Sequence, residues 1–291
     1  MSIANVVRRA FFRVPRAISP RENFEAGTEA VRRLWQSRSL VAEMVRRDLG
    51  GQYAGQILGR LWIIGHPLAL FTIYLVVFAA VLKVRMQIST AMPRDYPSYI
   101  LTGLATWLSL QQGVIRATTV LTGQSNLVKQ VVFPIEALPF GSAIVSMVPQ
   151  IVGLILLFVY TLATEGSVPW TYILVPFLVF LSLVLITGIS FFLAALTPFV
   201  RDIKDFAAVL SVVGVYLVPA FYLPQWIPTH LRPLIYANPF SHVVWVYQDA
   251  LYFGRFEHPV SWFVFVFSAL FTFSAGYRVF RDLKPYIANV L

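Results

Sequence analysis

The chain has 291 residues, of which 58% are hydrophobic and 12% charged, and its formal net charge is +10. Ordinary soluble domains have about a quarter of their residues charged, so this composition excludes a soluble globular protein and indicates a membrane protein. The positive charge does not indicate nucleic-acid binding, because 11 of the 23 Lys and Arg residues precede Leu61. A basic segment followed by apolar spans is typical of a cytoplasmic anchor against anionic lipid. The absence of cysteine excludes disulfides and thiolate metal sites.

Residues 1–60 are predicted to be a cytoplasmic basic and amphipathic segment, without an apolar stretch long enough for a signal peptide. The sequence Ser19-Pro20-Arg21-Glu22 fits a capping box with proline at the first helical position and predicts a helix start. The helix is predicted to break near Ser37–Ser39. Its apolar residues recur at helical spacing roughly on one side: Val31, Leu34, Trp35, Val41, Met44 and Val45. This pattern predicts a helix lying in the membrane interface, and a helix packed on its own protein is an equally good interpretation.

Residues 61–291 are predicted to form a transmembrane domain with six apolar spans, each near the length of about 20 residues that crosses hydrocarbon. The spans are Leu61–Leu82, Ser98–Val120, Gly141–Ala163, Tyr172–Leu196, Phe206–Leu223 and Val260–Phe280. With this division, 18 of the 23 basic residues fall on the side of the N-terminus. The positive-inside rule therefore predicts that both termini are cytoplasmic. Lys83 and Arg85 lie on the less favoured side and fit this topology least well.

A short polar interval, Asn126–Phe140, separates the second and third spans. It contains Lys129, Pro134 and Glu136, so it cannot lie unaided in hydrocarbon or continue a helix past the proline. We expect a surface loop with a docked helical turn, on which a separate energy-supplying subunit acts from the cytoplasm. A plain solvated connection between two membrane helices is the alternative.

A second interval, residues 224–259 between the fifth and sixth spans, is dense in aromatic residues and divided by Pro224, Pro228, Pro233 and Pro239. The pattern predicts two short re-entrant helices on the outer face, because irregular backbone at membrane depth persists only inside protein or against a water-filled cavity. An aromatic belt at the lipid headgroups is the alternative.

The sequence lacks the reactive groups of an ATPase or an ion-coupled carrier. None of its four lysines is followed by Ser or Thr, so no Walker A loop is present. The four histidines do not have metal-ligand spacing, and no carboxylate lies within a predicted span. Gln112 and Arg116 share a face of the second span, which predicts a hydrated path, although Arg116 can equally reach outward to the cytoplasmic end.

Several motifs then occur in a characteristic order. They are Arg46-Arg47-Asp48-Leu49, Gly59-Arg60-Leu61-Trp62 with His66-Pro67, Asn126-Leu127-Val128-Lys129, Val132-Phe133-Pro134-Ile135-Glu136-Ala137-Leu138-Pro139, Asn238-Pro239-Phe240 and Tyr247-Gln248-Asp249-Ala250-Leu251. From about Leu34 to Lys284, this arrangement resembles the ABC-2 type permeases that export cell-surface polysaccharides. The loop with Lys129, Phe133, Pro134 and Glu136 is most similar to that of the O-antigen branch.

The resemblance implies an all-α integral membrane protein with an N-terminal interface helix, six transmembrane helices and two outer gate helices. It implies a channel-forming half-transporter of the bacterial inner membrane that carries a lipid-linked polysaccharide, O-antigen in the first instance. Two copies would work with two ATP-binding-cassette subunits, which bind the ATP and Mg²⁺, while this chain holds no cofactor, metal or catalytic residue. The implied ATPase-coupling residues are Lys129, Phe133, Pro134, Glu136, Arg46 and Arg47, and the implied gate and channel residues are Gln112, Arg116, Trp226, Tyr236, Trp245 and Tyr247.

Other functions remain as alternatives at this point. An ABC permease for capsular polysaccharide, teichoic acid, a drug or a lipid would follow the same coupling logic. A membrane-embedded glycosyltransferase would need carboxylate pairs or metal-binding Asp motifs, which the sequence does not show. A scaffold without transport activity would not need the gate-like interval 224–259.

Overall fold

The computed structural model describes residues 20–78, 93–129 and 133–291, and these residues form a helical bundle without a β-strand. The α-helices in chain order are α1 (Pro20–Gln36), α2 (Arg38–Gly51), α3 (Trp62–Val76), α4 (Tyr96–Thr119), α5 (Ser125–Val128), α6 (Ala137–Ser146), α7 (Val148–Glu165), α8 (Val175–Leu196), α9 (Asp202–Gly214), α10 (Arg232–Ala237), α11 (Pro239–Gln248) and α12 (Pro259–Val290). Lys83 and Arg85, the weakest point of the predicted topology, lie outside the described residues.

The N-terminal helices confirm the predicted break, because α1 ends at Gln36 and α2 begins at Arg38. Their apolar residues do not form one face. Ala26, Ala30 and Leu34 are buried against the rest of the chain, whereas Phe24, Val31 and Trp35 are exposed by 73%, 59% and 68%. Helix α1 therefore has one apolar face packed on its own protein and a second apolar face left open, so each of the two sequence interpretations describes one face.

Four segments are long and apolar enough to cross a membrane: Gly59–Val76, Ala137–Glu165, Trp170–Leu196 and Pro259–Val290. They correspond to the first, third, fourth and sixth predicted spans, and the first continues toward residues outside the described part of the chain. Helix α4, the second predicted span, has 24 residues but carries too many polar groups to meet the same criterion. Some of its buried hydroxyl groups form hydrogen bonds within the helix. The Thr102 hydroxyl donates to the Ser98 carbonyl at 2.8 Å, and the Thr106 hydroxyl donates to the Thr102 carbonyl at 3.0 Å.

The fifth predicted span, a continuous helix over Phe206–Leu223, is wrong. Helix α9 ends at Gly214, and residues 215–222 form turns and bends. Pro219 has no N–H to donate, and its ring would clash with the carbonyl four residues earlier in a helix. Gly214 itself lies against Trp107, since a Cβ atom there would be 2.3 Å from the indole ring.

The bundle is closed around α4, whose only exposed residue is Ile115. Helices α8 and α12 cross at two glycines. A Cβ atom on Gly276 would lie 2.2 Å from the Gly188 carbonyl oxygen, and a Cβ atom on Gly188 would lie 2.4 Å from the Phe273 amide nitrogen. Small residues allow two membrane helices to approach backbone to backbone, so α8 and α12 form one closely packed pair.

Candidate coupling and outer-gate sites

The interval between α4 and α6 is compact at both of its described ends. Lys129 follows the short helix α5 and is exposed, whereas Phe133 packs against the apolar cluster that joins α1, α2 and α6. The Pro134 carbonyl accepts a hydrogen bond from the Ala137 amide at 2.9 Å and so starts α6. Pro134 thus begins a helical turn that enters the membrane segment directly, as the proline pattern predicted.

Glu136 is the buried charge of this interval, with only 4% of its surface exposed. Its Oε1 atom lies 2.7 Å from Lys284 Nζ and 3.3 Å from Arg33 Nη1. One carboxylate thereby joins the interval to α12 and to α1. Within the chain, Glu136 has two partners, because cations 103 and 148 residues away in sequence fold against it. The predicted role of Glu136 in coupling to an ATPase stays a prediction.

The ion pairs continue along α1 and α12. Glu29 accepts hydrogen bonds from Arg281 at 2.9 Å and from Arg33 at 2.8 Å. The bond from Arg281 holds the pKa of Glu29 below its ordinary value, with Arg33 adding to the effect and partial burial opposing it. Arg278, a buried residue, pairs with Glu22 near the start of α1. These five ionised residues and the pair Glu136–Lys284 together form what we call the inner ion-pair network. Its seven members are Glu22, Glu29, Arg33, Arg278, Arg281, Glu136 and Lys284.

Sequence reasoning missed this network. It used Arg278, Arg281 and Lys284 only as a count of positive charge, it used Glu22 only as part of a capping box, and it did not consider Glu29. A signal was available, because Glu22 and Glu29 are seven residues apart and therefore near each other on one side of a helix. Which basic residues they meet is a long-range property that local spacing does not contain.

The three basic residues among the predicted coupling residues are exposed. Arg46 and Arg47 are exposed on α2, and Lys129 is exposed at the end of α5. Among the described residues, none of these three side chains takes part in an ion pair. They are therefore available for a partner, in contrast to Glu136.

Arg116 and Gln112 lie on α4, both partly buried. Arg116 pairs with Asp48 of α2, at the end of α4 where the basic residues gather. The guanidinium thus lies at the helix end, and the role of Arg116 in a hydrated path stays a prediction. Gln112 lies one turn further into the bundle.

At the opposite end of the bundle, backbone carbonyl groups in the turns after α9 accept hydrogen bonds from side chains. The Tyr99 hydroxyl lies 3.1 Å from the Pro219 oxygen and 3.0 Å from the Tyr222 oxygen. The Gln248 amide donates to the same Pro219 oxygen at 2.8 Å, and the Asn238 amide donates to Leu217 at 2.9 Å. Irregular backbone at membrane depth requires such internal partners, so this segment is held in place by α4 and α11 together.

Asp249 fixes the outer end of α12. It is 1% exposed, and its Oδ2 atom accepts hydrogen bonds from the His258 amide at 2.9 Å and from the Trp262 indole at 3.0 Å. The His258 ring lies 2.8 Å from the other carboxylate oxygen. A carboxylate at a helix N-terminus satisfies free N–H groups and the helix dipole. A lone Asp within the largely apolar run 243–253 was the available sequence signal.

The four predicted outer aromatic residues separate into two pairs. Trp226 and Tyr236 are exposed by 49% and 50%, whereas Trp245 and Tyr247 are buried, with 1% and 0% exposed. The Tyr247 hydroxyl is 2.9 Å from the Ser182 hydroxyl, and Trp245 stacks on His258. In this conformation Trp226 and Tyr236 are open to the surface, and Trp245 and Tyr247 are packed inside the bundle. Two short helices, α10 and α11, occupy this interval.

The described residues do not contain a candidate metal-binding site. Within residues 20–78, 93–129 and 133–291, no three His, Asp or Glu side chains converge as they would around a metal ion.

Comparison with known proteins identifies the family. Residues 39–252 match the protein family described as ABC-2 type transporter. Over 258 residues the chain is 23% identical to the O-antigen export system permease protein RfbA of Klebsiella pneumoniae, an alignment covering 87% of this chain and 95% of that relative. A protein of the same name from Myxococcus xanthus is 25% identical over 227 residues, 77% of this chain and 85% of the relative. The resemblance seen in the sequence motifs is confirmed, and the chain belongs to the ABC-2 type transporter family of membrane permeases.

Proposed function

We propose that this chain is the transmembrane, channel-forming subunit of an ATP-driven exporter that moves a lipid-linked polysaccharide of the O-antigen class across the bacterial inner membrane. The observation that carries the proposal is the alignment over nearly the whole chain with O-antigen export permeases from two organisms. The positive-inside rule supports a cytoplasmic position for both termini, because 18 of the 23 basic residues fall on the side of the N-terminus in the predicted topology.

The energy comes from outside the chain, since its lysines do not form a Walker A loop. Two copies of the chain pair with two ATP-binding-cassette subunits, which bind the ATP and Mg²⁺. A second copy is supported by the apolar surface that one copy leaves open on α9, where Phe206, Val209 and Val212 are each more than 60% exposed. A symmetric pair can cover such faces and place a pore on its axis.

The ATPase docks on the open basic surface of Arg46, Arg47 and Lys129, next to Phe133 and Pro134. Glu136 holds the loop in position without contacting the ATPase, because it pairs with Arg33 of α1 and Lys284 of α12. A loop held by a buried ion pair moves as a rigid body when a partner pushes on it, which is how nucleotide binding elsewhere can be transmitted to a membrane subunit.

The outer interval 224–259 acts as the gate. Trp226 and Tyr236 offer exposed aromatic surfaces on which a glycan can pack its C–H faces, while Trp245 and Tyr247 hold α11 in the bundle. Gln112 and Arg116 of α4 supply the polar groups of the path toward the opposite end.

Removal of the gene from the source bacterium tests the function. We expect surface polysaccharide to be lost and lipid-linked glycan to accumulate at the inner membrane, and the intact chain should restore export. When the double variant Arg46→Glu with Lys129→Glu is supplied to the deleted strain instead, both export and ATPase co-purification should be lost. Supplying Arg32→Glu, on the exposed side of α1, should retain both. Normal surface polysaccharide in the deleted strain would show that the proposed function is wrong.

A further inference from the structure

A polar cavity of about 480 Å³ lies at the inner end of the bundle, between α2, the end of α4 and the start of α6. Its lining includes Arg47, Asp48, Arg116, Gln124 and Ser142, together with apolar side chains from the same elements. Small ligands commonly occupy cavities of about 300–1,000 Å³, so this cavity is large enough for one.

Positive charge dominates this cavity. Arg47 and Arg116 line it, and the guanidinium of Arg60 lies 3.5 Å from the position that a Cβ atom on Gly50 would take, beside the lining residue Gly51. The only carboxylate in the lining is Asp48, which pairs with Arg116. The cavity is therefore lined by two arginines and one carboxylate, and Arg60 lies beside the lining.

Two buried polar atoms in the lining have no partner in the part of the chain that the structure describes. They are Nε of Arg116 and Oε1 of Gln124. Buried polar groups normally form hydrogen bonds, because an unsatisfied one loses its hydration without a replacement. An Arg whose Nε–H is unused retains a donor for an incoming acceptor, since Asp48 engages only the Nη2 end of this guanidinium.

The depth of the cavity indicates where such an acceptor would come from. Leu138 and Gly141 of the lining belong to the first turns of the apolar segment Ala137–Glu165, and Arg60 belongs to the first turn of Gly59–Val76. The ends of membrane-spanning helices lie at the level of the lipid headgroups. Phosphate groups are the anions present there, and guanidinium groups bind phosphate through paired, charge-assisted hydrogen bonds.

We propose that this cavity binds a phosphate or diphosphate group through Arg116 and Arg47, with Arg60 adding positive charge and Asp48 limiting the affinity. The group belongs either to a lipid headgroup or to free phosphate. If the phosphate group belongs to the lipid of an exported glycan, the proposed binding site rests on the proposed function. Because the experiment below measures binding and not export, the binding site and the export function can be refuted separately.

The test uses the full chain purified with its ATPase partner in a neutral detergent, and calorimetry with two probes, farnesyl diphosphate and inorganic pyrophosphate. Losing one charged hydrogen bond should weaken binding about tenfold or more, and we expect this for both Arg116→Gln and Arg47→Gln. Arg32→Gln, the same charge change on exposed α1, should leave the affinity unchanged. Tighter binding of farnesyl diphosphate supports a lipid headgroup as the source, and equal binding supports free phosphate.

Asp48→Asn is the decisive variant, because it removes the competing carboxylate and should strengthen binding of both probes. A gain of affinity cannot result from misfolding. The proposal is overturned if neither probe binds, if Asp48→Asn fails to strengthen binding, or if Arg32→Gln weakens binding as much as Arg47→Gln.

Discussion

Replacing Glu136 with Gln should release the loop at the start of α6 without changing its shape. The variant removes the charge that holds Lys284 at 2.7 Å and Arg33 at 3.3 Å. Charged hydrogen bonds contribute about 1.5–3 kcal/mol each, but the side chains of Lys284 and Arg33 are 30% and 47% exposed, so water replaces part of what is lost. We expect a net cost of about 1–2 kcal/mol, or a factor of about 5–30 in the equilibrium between docked and released loop.

Hydrogen exchange over residues 133–138 measures this equilibrium directly, because the Ala137 amide donates to the Pro134 carbonyl only while the turn is formed. Exchange there should accelerate by the same factor in Glu136→Gln and stay unchanged in Glu43→Gln, which alters an exposed carboxylate on α2. Glu136→Lys should have a larger effect, since three cations would then meet at one point, and it should also weaken ATPase co-purification.

A double-mutant cycle with Lys284→Met separates the ion pair from other effects of the substitution. If Glu136 acts through Lys284, the double variant should cost less than the sum of the two single variants, with a coupling free energy of about 1 kcal/mol or more. Additive costs, or unchanged exchange over residues 133–138 in Glu136→Gln, would refute the reasoning.

Three further predictions follow from the same structure. Since the folded-state pKa of Glu29 is lowered, its stabilising contribution is complete above the ordinary glutamate pKa and is lost as the pH falls through the lowered value. A spin label attached to the variant Thr28→Cys, which has the single thiol of this otherwise cysteine-free chain, should therefore gain mobility once the pH falls below the ordinary glutamate range. Glu29→Gln should make the label mobile at neutral pH as well. Tyr99→Phe should reduce resistance to denaturant by about 1–3 kcal/mol because it removes a buried donor, whereas equal stability would mean that water replaces it. A cysteine at Ser167 should react with an impermeant reagent added outside cells and one at Ser39 should not; the reverse pattern would invert the topology.

Hydropathy and proline placement predicted much of the fold from the sequence. The break between α1 and α2 and the apolar segments Gly59–Val76, Ala137–Glu165, Trp170–Leu196 and Pro259–Val290 were readable, because they depend on residues that are neighbours in the chain. The prediction of the fifth span was wrong because mean hydropathy over a long segment gives little weight to one proline. Pro219 ends the helical pattern whatever the apolar residues around it favour.

The candidate sites were less predictable, because their geometry depends on distant parts of the chain. Composition could not distinguish Trp226 from Trp245, yet one is half exposed and the other is buried. Likewise, Glu136 was recognisable as an unusual charge at the edge of an apolar segment, but its partners come from α1 and α12. The packing of whole helices decides which charged residues form ion pairs. Residue spacing in a single sequence does not contain this information.

Helix α12 is fastened at both of its ends. Near one end Lys284 binds Glu136 and Arg281 binds Glu29, while at the other end His258 and Trp262 bind Asp249 beside the outer aromatic residues. Its 32 residues extend over about 48 Å at 1.5 Å per residue, and no proline interrupts it between Val260 and Lys284. A helix held at both ends in this way should move as a unit when one of its ends is displaced. We expect a shift of the loop at Glu136 to appear at the opposite membrane face as a shift of α11, so that the chain has a mechanical connection between its two ends that does not pass through the pore.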